Sequence, residues 1–227
     1  MSVRNVIAEK ITLPFSDMIL GQSVFKNLRL LNESQFWTRS QIDEFQNDRL
    51  RKLIEHCVSS VPYYKDLFRE LKLKSEDINT KDDLYKIPIL SKEMIKKEGI
   101  ERFLSTNYPK NKIISASSSG STGEPLFYKT TKEAYSMNIA ANLRGWSWMN
   151  YRIGDKYVKL SENPRNNIIK KFQDKFSSNL YLATNPLIES NFKSILDQIE
   201  RYKPKVIRCY PDPLLYLARY RKMSNNY

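Results

Sequence analysis

With 227 residues, of which 41% are hydrophobic and 12% aromatic, the chain has material for one large packed domain or for part of something bigger, and it is neither a disordered tail nor a peptide-sized module. Its net charge of +13 comes from 38 Lys and Arg against 25 Asp and Glu. The basic residues are interleaved with acids, as in LFRELKLKSEDINTKDDLYK, which favours a Lys-rich solvated surface over the clustered footprint of a nucleic-acid module.

In chain order, the first stretch, MSVRNVIAEKITLPFSDMILGQSVFKN, is mildly apolar but interrupted by Glu9, Lys10, Pro14 and Asp17. It falls short of the ~20 apolar residues of a membrane span and of the 7–15 of a signal-peptide core, and leaves a weak membrane-surface helix open. Residues 39–58 place Ile42, Phe45, Leu50, Leu53, Ile54 and Cys57 near helical spacing, an amphipathic helix that stops at Val61-Pro62. The proline pushes Ser60 and Val61 toward extended geometry, and YYKDLFREL resumes as a short second helix. Thr80 with Asp83, and Ser91 with Glu93 and Met94, mark two further helix starts, with LYKIPILSKEMIKK as a loop between small helices.

From about residue 110 the texture changes. NKIISA, DKYVKL and KPKVIRCY are short β-type runs, separated by helical stretches at Thr131 to Trp148 and Ser190 to Tyr202, with Asp212-Pro213 expected to open a last helix. This alternation predicts an α/β fold with a largely parallel sheet. The expected organisation is a mainly helical region over 1–110 followed by an α/β part over 111–227. Cys57 and Cys209 lack disulfide or metal-ligand spacing, so a reducing, cytoplasmic setting and no structural metal are expected.

Between the β-type runs KIIS and LFYK lies SASSSGSTGEP. Gly120 and Gly123 allow positive φ and close backbone approach, exposing N–H groups in an anion-holding nest, while Ser118, Ser119, Ser121 and Thr122 add hydroxyls. The chain turns extended again at LFYK, so the loop reads as a β-turn-β connection rather than a strand-to-helix phosphate loop, and no Lys follows Gly123 directly as the Walker pattern needs. The residues by themselves leave two alternatives, a loop that wraps polyphosphate and a plain Ser/Gly linker.

SSGSTGEP, Ser118 to Pro125, resembles the signature loop of the adenylate-forming enzymes, the acyl-CoA synthetase superfamily. The flanking segments SQFWTRSQIDEFQNDRLRKLIEHCVSSVPYYKDLF, LYKIPILSKEMIKK, LRGWSWMNYRIGDKYVKL and IERYKPKVIRCYPDPLLYLARY are similar, in order from about residue 30, to the phenylacetate–coenzyme A ligase branch and its capsular-polysaccharide-biosynthesis members. The resemblance implies an incomplete N-terminal domain of the adenylate-forming fold. It implies contact of Ser118, Ser119, Gly120, Ser121, Thr122 and Gly123 with the β- and γ-phosphates of ATP, with Glu124 and Pro125 setting the loop's exit. It further implies Mg²⁺, a carboxylate substrate and CoA as acceptor. Leu126 stands where the general signature often has Lys, and CYPDPL replaces the usual GYPSxL, which puts an acyl-pocket role for Tyr210 in doubt. Family members are about twice as long, so the adenine, ribose and C-terminal lysine groups cannot be placed here. The chain alone is then expected to be inactive, and the alternative is a non-catalytic product, either a truncated remnant or a split subunit needing a partner with the C-terminal half.

The other candidates have structural alternatives. His56 and Cys57 read as packed helix residues rather than a dyad, since consecutive helical side chains point about 100° apart. Trp146 and Trp148 read as core or as a base-stacking pair, Gly154-Asp155 as a turn into a strand, and Val61-Pro62-Tyr63-Tyr64 as packing.

Overall fold

The computed structural model describes residues 2–118, 125–162, 174, 178–184 and 189–224. Two compact units emerge, Leu20–Ala140 and a second built from Met1–Ile19 with Ala141–Tyr227. The first element is a run of helix: α1 (Val3–Ile7), a π-helical turn (Ala8–Thr12) and α2 (Leu13–Leu20). Pro14 explains the wide turn, because its ring crowds the carbonyl four residues back; the Leu13 N–H instead bonds the Ala8 carbonyl, five residues back.

The unit Leu20–Ala140 is mainly helical, with α3 (Val24–Ser34), α4 (Arg39–Ser60), α5 (Pro62–Glu70) and α6 (Lys92–Glu98) joined by short 3₁₀ turns. A capping box opens α4: the Thr38 hydroxyl accepts the Gln41 N–H and the Gln41 side chain accepts that of Thr38. Ile54 is buried on α4 against Phe68 of α5 and Ile78, with Leu50, Val58, Leu73 and Ile87 packed around them. Leu53 departs from the expected apolar face and is 57% exposed. It lies about 100° around the helix from Ile54, off the line that positions 50, 54 and 58 make four residues apart.

Ser60 also departs from expectation. It remains the last residue of α4, and only Val61 is extended (φ −114°, ψ 113°), because the proline's ring restricts the residue directly before it. Pro62 takes the first position of α5, where no N–H is needed. Thr80–Asp83 opens a 3₁₀ helix (Lys81–Lys86), so Leu84 to Lys86 belong to that turn rather than to a loop. Tyr63 is buried and stacks at 4.4 Å on Phe103, the packing role expected of the Val-Pro-Tyr-Tyr stretch.

In the same unit β1 (Ile113–Ser117) pairs antiparallel with β2 (Phe127–Thr131). α7 (Lys132–Trp148) follows β2 directly, the Thr131 hydroxyl accepting the Ala134 N–H.

The second unit holds a parallel sheet of three strands, β3 (Tyr157–Ser161), β4 (Asn179–Ala183) and β5 (Val206–Arg208), with β3 in the centre and order β4-β3-β5. α8 (Glu189–Tyr202) links β4 to β5, and α9 (Pro211–Ser224) follows β5. Val158, Leu160 and Leu182 of the sheet bury against Phe192 and Ile195 of α8 and Leu217 of α9. Each such side chain contributes about 1.5–3 kcal/mol, against at most about 1 for an exposed ion pair such as Arg221–Glu200, so the apolar layer holds the unit. The fold is therefore α/β with a largely parallel sheet. β4 had no counterpart among the expected strands. α9 begins at Pro211, so Asp212 lies inside its first turn and does not cap it; both prolines sit where helical N–H groups lack intrahelical partners anyway.

Candidate functional site

The Ser/Gly stretch sits on the β1–β2 hairpin. Register pairs Ile113 with Thr131 and runs to Ser117 opposite Phe127. One step further Ser118 closes the base of the loop: its N–H donates to the Leu126 carbonyl at 2.9 Å, and its hydroxyl oxygen accepts the Leu126 N–H at 2.9 Å. Accepting that bond leaves the Ser118 O–H proton available to donate. Ser119, Gly120, Ser121, Thr122, Gly123 and Glu124 lie outside the described residues.

Directly opposed residues of an antiparallel pair share a face. Ser115 and Lys129 form such a pair, with the Lys129 ammonium donating to the Ser115 hydroxyl at 2.9 Å. This exposed cation three residue pairs from the loop base was not singled out from the sequence, where only the closing Lys of LFYK signals it. The stem thus carries a hydroxyl at the loop base and a positive charge further down, on opposite faces, since Ser115 and Ser118 are an odd number of residues apart.

The parallel sheet offers a second region. β3 has β4 on one flank and β5 on the other, and the carboxyl ends of such strands are where open α/β sheets bind ligands. There the Thr184 N–H donates to the Ser161 carbonyl at 2.8 Å. Thr184 is buried, and its hydroxyl has no partner among the described residues. Tyr210, beyond β5, is exposed.

The remaining candidates take structural roles. His56 is half-buried on α4, and burial pushes the neighbouring Cys57 thiol up, away from the reactive thiolate. Cys209 is half-buried against the second unit's core, its thiol likewise pushed up by burial. Trp146 packs edge-on against Tyr151 at 5.2 Å and lies under the Arg208 guanidinium at 5.7 Å, whereas Trp148 is exposed with Arg144 over its ring. Burial raises the Tyr151 hydroxyl far above its usual range, consistent with a packed aromatic cluster.

Asp155 is the turn residue expected of it. Burial pushes its carboxyl up, but the Asn5 amide, the Arg152 N–H and the Lys205 ammonium together outweigh this and hold it below the ordinary value. Among the described residues no three His, Cys, Asp or Glu side chains come together as a metal site, and no helix is long and apolar enough to cross a membrane.

Comparison with known proteins adds the fold's wider context. No protein-family model and no curated protein matches the sequence. Among solved structures the chain is similar to 2-hydroxyisobutyryl-CoA ligase in three states. They are an open conformation with 2-HIB-AMP and CoA (13% identity, TM-score 0.62), the thioesterification state with the same two ligands (14%, 0.63), and the postadenylation state with 2-HIB-AMP (14%, 0.61). The chain shares part of the fold of an adenylate-forming acyl-CoA ligase. The matches cover 82%, 83% and 82% of this chain but only 44%, 41% and 40% of the ligase, so the chain spans less than half of that protein's length.

Proposed function

We propose that this chain supplies the ATP-phosphate-binding portion of a carboxylate-activating ligase of the phenylacetate–coenzyme A ligase type, acting in capsule or cell-surface polysaccharide biosynthesis. In the reaction a carboxylate oxygen attacks the α-phosphorus of ATP, the bond to the bridging oxygen breaks, and pyrophosphate leaves with the electron pair. CoA thiolate then displaces AMP from the acyl adenylate. One observation supports this reading: the β1–β2 hairpin, closed by Ser118 on Leu126, belongs to a chain that shares part of its fold with a ligase crystallised with its acyl-AMP and CoA.

On this reading Ser118, Ser119, Gly120, Ser121, Thr122 and Gly123 surround the β- and γ-phosphates with N–H and O–H donors. Such donors stabilise charge moving onto the departing pyrophosphate. Mg²⁺, which the resemblance implies, would be held by phosphate oxygens with one or two protein oxygens, as is usual in nucleotide sites. It would neutralise part of the phosphate charge.

Titration calorimetry of the purified chain with MgATP tests the loop. Binding is expected, weakened at least about tenfold by Gly123→Val, which removes the close backbone approach. Equal affinity in both proteins would reject the assignment. The 227-residue chain alone is expected to show no carboxylate-dependent ATP–pyrophosphate exchange, since less than half of the ligase fold is matched. Measurable exchange would refute that part.

A second reading, a subunit completed by a partner chain, is favoured by apolar exposure at one end of the sheet. Ile207 on β5 and Leu214, Leu215 and Tyr216 on α9 are all exposed. A monodisperse, soluble monomer with no associated polypeptide counts against it.

A further inference from the structure

The helical run from Val3 to Ile19 docks by its polar side. Asn5 and Asp17 are buried, while the apolar stripe of Ile7, Ile11, Phe15 and Ile19 faces outward. The Asn5 amide donates to the Ile153 carbonyl at 3.0 Å and to Asp155 at 2.9 Å, and the Arg4 guanidinium donates to the Ser178 hydroxyl. Gly154, at φ +94°, lets the helix come so close that a Cβ there would lie 2.9 Å from that of Ala8.

On this docked side lies a cleft of about 270 Å³, in which Arg4, Lys156, Lys203 and Lys205 surround one acid, Asp155. The cations come from segments far apart in the chain. Arg4 belongs to α1, Lys156 and Lys205 stand directly before β3 and β5, and Lys203 follows α8. Lys156 and Lys205 are side by side: the Lys205 N–H donates to the Lys156 carbonyl at 2.8 Å, and the next residues, Tyr157 and Val206, are register partners. Like charges so placed repel, and an anion between them relieves the repulsion.

The cleft's own groups do not balance this charge. Asp155 is already taken by Asn5, the Arg152 N–H and Lys205. Arg4 donates to a neutral hydroxyl, and the Lys156 ammonium to the Tyr202 carbonyl at 3.2 Å. Lys203 makes no ion pair among the described residues. It also sits at φ +51°, in the left-handed region that Gly or Asn usually fills after a helix, so a cation is kept there despite backbone strain.

We infer that the cleft is a binding site for a free diphosphate anion, separate from the ligand face of the sheet. Four cations against one carboxylate leave an excess of three positive charges, which a diphosphate matches. Ammonium and guanidinium groups converging from several segments suit its oxygens. The volume falls just short of the roughly 300–1,000 Å³ of drug-sized pockets, which suits one small anion, whereas a nucleic acid needs cations strung along a face. β3 is five residues long, so the cleft lies about 16 Å from the carboxyl ends, where open α/β sheets bind substrates. The anion there acts as a clamp, tying the first helix to the amino edge of the sheet.

Titration calorimetry with inorganic pyrophosphate, without Mg²⁺, tests this in the Gly123→Val chain, so that failure of this site is read apart from failure of the ATP loop. Binding is expected, weakened about tenfold or more by Lys156→Gln with Lys203→Gln. Lys92→Gln with Lys193→Gln, which lowers the net charge equally outside the cleft, should leave affinity within about twofold. Adenosine diphosphate, too large for the cleft, should bind about tenfold more weakly or worse. Pyrophosphate should also slow hydrogen exchange in Val3–Ile7. Absence of binding overturns the proposal, as do equal losses in the two double variants, adenosine diphosphate binding as tightly as pyrophosphate, or unchanged exchange in the first helix. So does single-stranded RNA that binds the chain and is released by Lys156→Gln with Lys203→Gln while pyrophosphate fails to bind, which would assign the cations to nucleic acid.

Discussion

Replacing Gly154 by Ala probes how tightly the first helix is held. The residue sits at φ +94°, where an L side chain costs about 1–2 kcal/mol. The new Cβ would lie 2.9 Å from the Ala8 Cβ and 3.4 Å from the Arg4 carbonyl oxygen, overpacking worth about 1–3 kcal/mol. Loss of unfolded-chain freedom returns only about 0.4–1 kcal/mol, so the net expectation is a destabilisation of about 1–4.6 kcal/mol. Because undocking α1 relieves the clash but not the strained φ, the clash portion should appear locally. Hydrogen exchange should speed up across Val3 to Leu20 more than in β3 or α8, with urea denaturation giving the global loss. Adding Ala8→Gly removes the Cβ–Cβ contact, so it should reverse part of the local acceleration, less the roughly 1 kcal/mol that Gly costs within a helix, while leaving the backbone strain in the global measurement. A Gly154→Ala protein within about 0.5 kcal/mol of wild type, with unchanged exchange in the first helix, would refute the reasoning.

Ser118→Ala removes the acceptor for the Leu126 N–H and should cost about 1 kcal/mol together with weaker MgATP binding, read by thermal unfolding and calorimetry. Phe68→Ala, at a side chain only 1% exposed, should cost about 3–5 kcal/mol in urea denaturation. Asp83 is held well below its ordinary value of 3.8 by the Lys86 ammonium and by the N–H groups of Thr80 and Asn79. A depressed carboxyl contributes stability that is present above the unfolded value and lost as pH falls through the folded one. Acid unfolding followed by circular dichroism should therefore flatten below pH 3.8 in Asp83→Asn.

Much of the helical unit was legible because its signals are local. Thr80 with Asp83, Val61-Pro62 and Ser91 with Met94 each act within one turn, and the structure places caps and breaks there. The hairpin was legible for the same reason, since two short β-type runs flank a loop of small residues. β4 was not, because NLYLA holds no β-branched residue and pairs only with its parallel neighbour β3, far from it in the chain. Leu53 misled because periodicity fixes a helix's apolar side only to within about one residue's rotation, and packing partners choose the rest.

By itself the sequence determined the α/β class, the hairpin position of SSGSTG and the punctuation of the helices, all consequences of residue types acting on their own backbone. Only the tertiary structure decided the strand order β4-β3-β5, the Ser118 clasp on Leu126, and the outward turn of the apolar stripe on the first helix. Each of these depends on groups far apart in the chain or on which face another element covers. The first helix shows why: nothing in its own spacing says that Asn5 will find Asp155, 150 residues away, and so leave Ile11 and Phe15 facing out.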